Sequence, residues 1–189
     1  MKKALAFLLV LCLVLTAVGS GLAASASNSS SLSGVKPFKF EHKKQGIGRG
    51  ICPVYSAPYA GAYRAANGKA SVDTNHSLDI GGFYKGWLMV RYSTNKGGTR
   101  VGWIPSKYVR KVETSMYPHF SSIKMTAAKT IDVTDNNLDP YDTSGYFAQL
   151  QPGDTYYIIG RYNYYKPTDL WYIRFNLNGK VAQGFIPVE

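Results

Sequence analysis

The sequence predicts an all-β protein in which two related modules follow one another along the chain. Beyond Gly46 the chain consists of short runs rich in Tyr, Val, Ile, Trp and Phe, separated by Gly, Asn, Asp and Pro. Such runs are typical of a sandwich or barrel of short strands, and no stretch has the spacing of an amphipathic helix. An internal repeat is the second observation, and it indicates that the strands form two copies of one unit.

Residues 1–26 have the layout of a secretory signal peptide. Lys2 and Lys3 precede an almost unbroken apolar run over residues 4–17, and Ala-Ser-Ala at 24–26 forms a cleavage pattern. A retained membrane anchor is the alternative, but the run is shorter than the roughly 20 residues that a spanning helix needs. We therefore expect export, a mature chain that begins at Ser25 or Ser27, and no transmembrane anchor after cleavage.

The chain is strongly basic, with 22 Lys and Arg against 11 Asp and Glu and a formal net charge of +11. Loss of Lys2 and Lys3 with the signal peptide leaves +9. The excess is local, because residues 47–112 carry +8 and residues 123–189 carry −1. An exported protein is not expected to bind nucleic acid. The charge instead favours an anionic envelope polymer or membrane surface as partner.

Residues 27–46 are predicted to be a flexible polar and basic leader. The Ser-rich part up to Gly34 is too polar to pack. From residue 35 onward, lysines alternate with Phe38 and Phe40, so this part is either a short edge strand or a basic arm.

Each copy of the repeat consists of an apolar strand, a hairpin turn and a second strand that ends in Gly-aromatic-Ile-Pro. The corresponding parts are residues 87–92, 95–98 and 102–105 in the first copy and residues 170–175, 178–179 and 184–187 in the second. Both turns contain Asn and Gly, which provide the positive φ that tight hairpin turns require. A further apolar run precedes each copy, at residues 77–84 and 155–162.

Alignment of the two copies on Arg91 and Arg174 predicts which side chains face inward. Side chains alternate along a strand, so the residues on either side of each arginine share one face. That face is apolar and is the predicted core: Leu88, Val90 and Tyr92 in the first copy, and Trp171, Ile173 and Phe175 in the second. Both arginines are predicted to point to solvent, and Trp87, on the arginine face, is predicted to be partly exposed.

These residues resemble tandem bacterial SH3-like (SH3b) domains of secreted and cell-wall proteins. The resemblance rests on residues 54–58, 86–90 and 102–109, and in the second copy only the later half is clear. It implies two small SH3-like half-open barrels in tandem after the signal peptide. It also implies binding to peptidoglycan peptides or other wall components, although the catalytic domain that often accompanies such modules is absent.

The resemblance implies a first module at residues 47–112, a linker at 113–122 and a second module at 123–189. The second copy lacks a counterpart of residues 106–112 and therefore most of a final strand. Residues 35–40, or the connection between the copies, are expected to complete its sheet. We expect the first module to fold alone and the second to depend on the rest of the chain.

The predicted ligand site combines cations and aromatic rings of the first module, since rings beside cations suit sugar or peptide recognition. The cations are expected to hold an anionic wall ligand and the rings to form a contact platform. The residues are Tyr59, Arg64, Trp87, Arg91, Trp103 and Lys107. The alternative is that the cations only keep the module soluble and the rings pack inside.

No metal or cofactor is expected. His42, His76 and His119 lack the spacing of a zinc site. Several Asp and Asn residues crowd residues 132–142, but Pro140 falls where the EF-hand pattern requires Gly. A turn-rich polar loop is the preferred interpretation, and an irregular cation site is the alternative.

No catalytic residue is expected either. Cys52 lies in an apolar run and is predicted to be buried and inert, whereas a nucleophilic role would need His76 or His119 beside it. The leading hypothesis is an exported, non-catalytic protein that binds peptidoglycan peptide or an anionic wall polymer. A second hypothesis is an extracellular adaptor that binds an extended peptide of an envelope protein, and a third is a hydrolase that uses Cys52.

Overall fold

The structure, a computed structural model, describes residues 32, 34–48, 50–109, 120–139, 143–165 and 168–188. The predicted signal peptide and most of the predicted linker lie outside the described residues. Within them the fold is all β, as the sequence predicts, with two 3-10 turns at Ser106–Tyr108 and Thr143–Gly145. No helix among these residues is long and apolar enough to cross a membrane.

The described residues form thirteen strands. In chain order they are β1 (Pro37–Phe38), β2 (Glu41–Gly46), β3 (Cys52–Pro53), β4 (Ser71–Val72), β5 (Ser77–Tyr84), β6 (Trp87–Ser93), β7 (Thr99–Pro105), β8 (Ile123–Thr126), β9 (Ile131–Thr134), β10 (Tyr146–Leu150), β11 (Thr155–Tyr165), β12 (Thr168–Leu177) and β13 (Lys180–Pro187).

The strands pair into three sheets that follow the two sequence repeats. A four-stranded sheet has the order β2-β5-β6-β7, and β3 pairs with β4 in a sheet of two strands. A seven-stranded sheet has the order β1-β11-β12-β13-β9-β10, with β8 also paired to β11. Except for β1 and β2, the first two sheets belong to residues 47–109, here called the first repeat, and the third to residues 123–188, the second repeat.

The central hairpin of each repeat forms where the sequence predicts it. β6 pairs with β7, and in their turn the Thr94 N–H donates to the Gly98 carbonyl at 2.7 Å. β12 pairs with β13 through a two-residue turn in which Asn178 and Gly179 have φ of 53° and 77°. Positive φ at both positions is typical of a type I′ turn, which matches the twist of the strands on either side.

The glycines of the repeated Gly-aromatic-Ile-Pro segment are required by the close approach of another segment. A Cβ at Gly102 would collide with the side chain of Val54, and a Cβ at Gly184 would collide with that of Val133. The residue after each glycine forms a bridge to the residue after each valine: Trp103 with Tyr55, and Phe185 with Thr134. The repeats therefore have the same crossing segment as well as the same hairpin.

Each repeat encloses a core on the face that the alternation predicts. The buried side chains include Leu88, Val90 and Tyr92 in the first repeat and Trp171, Ile173 and Phe175 in the second. The prediction of these core residues is confirmed.

A third core lies between the repeats and covers the opposite face of both hairpins. Its buried members are Phe40, Met89, Val101, Trp103, Ile159, Tyr162, Leu170, Tyr172 and Phe185. Met89 and Tyr172 hold equivalent positions in the repeat, as do Trp103 and Phe185, so the hairpins pack through the same face. The alternation had assigned this face to solvent, as in an isolated barrel, but here each repeat covers the other.

The segment before the first repeat joins both large sheets. β1 pairs in parallel with β11, placing Pro37 opposite Arg161, and β2 pairs with β5. Phe40, 2% exposed, lies in the third core, with Phe38 packed against it. The prediction of a flexible leader is therefore corrected over β1 and β2, and the expectation that residues 35–40 extend the second sheet is confirmed at β1.

Candidate functional site

Arg91 is buried, and its predicted orientation toward solvent is wrong. The side chain is 5% exposed and lies directly across from Asp79, whose Oδ2 accepts from Nε at 2.9 Å and from a terminal nitrogen at 2.5 Å. The guanidinium also lies 5.3 Å from the centre of the Phe40 ring. Because Asp79 neutralises it and Phe40 covers it, Arg91 stabilises the fold and is not accessible to a wall polymer.

Trp103 is also buried, at 0% exposure, so its predicted place in a contact platform is corrected. Its Nε1 donates to the Tyr172 hydroxyl at 3.0 Å and to Gln183 Oε1 at 2.9 Å. The Tyr172 hydroxyl donates to the same Gln183 oxygen at 2.8 Å. Burial raises the pKa of Tyr172, so it stays a neutral donor in a small polar network between the repeats.

Arg64 and Trp87 remain at the surface and are brought together by a ring that the predicted set did not include. The Arg64 guanidinium lies 5.2 Å from the centre of the Tyr55 ring, and Tyr55 meets Trp87 edge to face at 5.3 Å. All three side chains are half-buried, which confirms the prediction of partial exposure for Trp87. Arg64 also donates to the carbonyls of Val54 and Ala70, at 3.3 and 2.8 Å, so it has a structural role too.

Lys107 is exposed on the same repeat. Trp87 pairs with Pro105, two residues before Lys107. Lys107 and Arg64 are both near enough to Cys52 to act on the pKa of its thiol. We call Tyr55, Arg64, Trp87 and Lys107 the basic strip, a surface of two cations and two partly exposed rings.

Tyr59 lies against the second repeat. It is 39% exposed, and its hydroxyl accepts from the Val181 N–H at 3.2 Å. Its neighbour in the same loop, Tyr63, donates its own N–H to the Val181 carbonyl at 3.0 Å. This loop therefore docks onto β13, which explains why Tyr59 is exposed and yet held in place.

A cleft of about 580 Å³ opens between the repeats, and we call it the inter-repeat cleft. The first repeat lines it with residues of the 63–73 loop, with His76 and Tyr92, and with the β6–β7 turn. The second repeat contributes Asp135 and residues 144–147. The predicted site residues are not among its described lining.

Interactions between the repeats hold the walls of this cleft. Arg100 Nε lies 3.0 Å from Asp135 Oδ1, and a terminal nitrogen of Arg100 donates to the Ser144 carbonyl at 2.5 Å. The Tyr63 and Phe147 rings stack at 5.7 Å with an interplanar angle of 18°. The cleft is therefore built before any ligand enters, which reduces the entropy lost on binding.

A His–Asp pair lies at one end of the cleft. His76 Nδ1 is 2.9 Å from Asp73 Oδ1, and the Asn75 N–H donates to the same oxygen at 2.9 Å. The Asn75 N–H and then His76 hold the pKa of Asp73 below its ordinary value. The Asp73 side chain is thus a carboxylate at neutral pH and orients the imidazole.

The Asp- and Asn-rich loop is closed by turn hydrogen bonds in the part described, up to Asp139. The Thr134 hydroxyl accepts from the Asn136 N–H at 3.0 Å, and Asn136 Oδ1 accepts from the N–H groups of Leu138 and Asp139 at 3.0 and 3.2 Å. These contacts favour the turn-rich interpretation. Among the described residues, no three His, Cys, Asp or Glu side chains are grouped to hold a metal ion.

Cys52 is buried and paired opposite Val72 in the small sheet. Burial raises the pKa of its thiol to about 12, against the smaller opposing effects of Lys107 and Arg64. At neutral pH the thiolate fraction is then more than about a thousandfold below that of an ordinary cysteine.

We expect the Cys52 thiol of the exported chain to react with an aromatic disulfide reagent only slowly in buffer and rapidly in denaturant. The measurement is the absorbance of the released thiolate, and Cys52→Ala should keep the wall retention of the wild type. Rapid labelling of the folded protein, or loss of retention in Cys52→Ala, would favour the nucleophile interpretation instead.

Comparison of the chain with protein-family models, curated proteins and solved structures finds no match in any of the three.

The sequence predicted two cations that lie at the surface, Arg64 and Lys107, but it did not predict the cleft. Its walls come from residues that are far apart in the chain, such as Tyr63 and Phe147, and meet only because the repeats pack together. Tyr63 belongs to a Tyr-rich stretch that begins at Tyr55, and this stretch is the local feature of the sequence that could have indicated the cleft.

Proposed function

We propose that this chain is an exported, non-catalytic binding protein made of two SH3-like modules, which recognises peptidoglycan peptide or an anionic wall polymer. The basic strip carries the proposal: on a repeat of strongly positive charge, Arg64 lies over the half-buried ring of Tyr55, and Tyr55 meets the half-buried ring of Trp87. Lys107 is exposed on the same repeat, with its Nζ 5.4 Å from the centre of the Tyr108 ring. Partly exposed rings provide contact area at low entropic cost, and the cations attract an anionic polymer.

Two further observations support this proposal. The shared hairpin, crossing segment and glycine packing of the two repeats agree with a duplicated SH3-like unit. The burial of Cys52, which raises the pKa of its thiol, disfavours the hypothesis of a hydrolase that uses this residue. Export rests on the signal-peptide pattern of residues 1–26.

The test is retention of the exported chain on purified, protein-free walls. We expect Trp87→Ala to reduce retention about tenfold or more, because a few anchors carry most interface energy. Lys107→Ala should reduce it by up to about fivefold, since exposed ion pairs contribute roughly 0–1 kcal/mol. In 1 M salt, where the Debye length is about 3 Å, retention should weaken but persist.

Matched controls come from the second repeat. Tyr157 is half-buried beneath Arg174, whose guanidinium lies 4.9 Å from its ring centre, and Lys124 is exposed. Tyr157→Ala and Lys124→Ala should retain wild-type binding. If Trp87→Ala also binds like the wild type while high salt removes all retention, the protein is only a basic chain adhering to an acidic surface. Walls stripped of teichoic acid separate an anionic polymer from peptidoglycan peptide.

A second candidate function is an adaptor for an extended peptide. β10 ends the order of the seven-stranded sheet and pairs with β9 alone among the described strands, and an edge strand of this kind is where an extended peptide can add to a sheet. Retention by protein-containing envelopes but not by protein-free walls would favour this function.

A further inference from the structure

The inter-repeat cleft differs in charge from the repeat that supplies most of its wall. Among the described residues, the charged side chains that line it are Lys69, Asp73, Arg100 and Asp135, which sum to zero, whereas residues 47–112 carry +8. Arg100 is engaged with Asp135 and Ser144, and Asp73 with His76. The described lining of the cleft therefore has no excess of positive charge like that of the basic strip, and a neutral occupant suits it better.

The uncharged lining of the cleft combines aromatic rings with small hydrogen-bonding groups. Its half-buried rings are Tyr63, Tyr146 and Phe147, and the polar side chains include Asn67, Ser71, Thr94, Asn95 and Ser144. A ring can stack on the C–H face of a sugar, while amide and hydroxyl groups pair with the sugar hydroxyls. A volume of about 580 Å³ is within the range of sites for small ligands.

The cleft is also rigid where a sugar would stack. The backbone N–H of Tyr63 is bonded to the Val181 carbonyl, and the Tyr63 ring stacks on the Phe147 ring. Phe147 packs in turn on Phe175 of the second core, with ring centres 6.1 Å apart. Neither repeat alone has both walls, so the site exists only in the joined fold.

We propose that the inter-repeat cleft binds an uncharged oligosaccharide. This inference deepens the proposed function, on which it rests, because it assigns the neutral glycan of envelope material to the cleft and leaves the anionic part to the basic strip. The shared ligand chemistry is a chain of uncharged pyranose rings, which either N-acetylated amino sugars or plain hexoses provide.

The experiment titrates the exported, isotope-labelled chain with three soluble probes and follows amide NMR shifts. The probes are a β-1,4-linked N-acetylglucosamine tetramer, a β-1,4-linked glucose tetramer and a proline-rich peptide. We expect one of the sugars to shift cleft residues, with an affinity that is unchanged between low and high salt. The sugar that binds identifies the source of the glycan.

Variants on the cleft wall make the assignment specific. Tyr63→Leu should weaken sugar binding about tenfold or more. Asn95→Ala, at an exposed position of the β6–β7 turn, should weaken it about two- to tenfold, as for one lost hydrogen bond. Lys96→Ala, on the next residue of the same turn but outside the described lining, should bind like the wild type.

The following outcomes overturn the inference. Shifts with the peptide alone would make the cleft a peptide site, and sugar shifts confined to the basic strip would leave the cleft without a role. If no probe binds while walls still retain the protein through Trp87, the cleft inference fails and the proposed function stands. If walls also fail to retain the protein, both fail.

Discussion

Replacement of Trp103 by alanine is expected to lower the free energy of unfolding by about 3–5 kcal/mol, the cost of deleting a large ring from a core. The indole is fully buried in the third core, so both repeats pack on it. Its N–H also donates to Tyr172 and Gln183. The substitution therefore removes packing and a polar link between the repeats in one step.

The measurement is denaturant unfolding followed by circular dichroism. Trp103→Phe is the matched control, because it keeps most of the packing and leaves the Tyr172 hydroxyl bonded to Gln183 at 2.8 Å. It should cost less, about 1–3 kcal/mol. A loss below about 1 kcal/mol for Trp103→Ala would contradict a core shared by the two repeats.

The two halves of the chain are expected to stay together after the connection between them is cut. A protease site inserted between residues 112 and 120 allows the folded protein to be cleaved there. Three kinds of contact join the parts on either side of the cut. They are the packing of the third core, the hydrogen bonds from Tyr63 to Val181 and from Val101 to Asp135, and the pairing of β1 with β11. The cut chain should elute as one species and unfold in one cooperative transition.

Separately expressed halves provide the comparison. Each would expose its side of the third core to water, so we expect neither half to unfold cooperatively. This expectation replaces the one from the sequence, that the first module folds alone. Two separate, cooperatively melting species from the cut protein would show that the contacts between the repeats add little. A cut chain that unfolds on cleavage would show that the connection itself is needed.

The packing between repeats also decides where ligands have access. It removes Trp103 from the surface, leaves the basic strip at one side of the first repeat, and forms at the junction a cleft whose described charged residues sum to zero. A wall polymer with charged and uncharged parts would find separate surfaces for each on the same molecule.

The local sequence was sufficient to predict the all-β class, the two hairpins and the two repeat cores. Asn178 and Gly179 predict a hairpin turn because both residues tolerate positive φ. The alternation around Arg91 and Arg174 identifies the apolar face of each strand. These features depend on neighbours within one hairpin, so they can be recognised in a short stretch of sequence.

Only the tertiary structure shows that the opposite face of each hairpin is buried against the other repeat. Alternation distinguishes two faces of a strand but does not say whether the second faces water or another sheet. Met89 and Trp87 make that face unusually apolar, but Arg91 on the same face favours the prediction that it points to solvent. The sequence does not show that Asp79 lies directly opposite Arg91. The cleft was hidden for the same reason: its walls meet only through contacts between residues far apart in the chain.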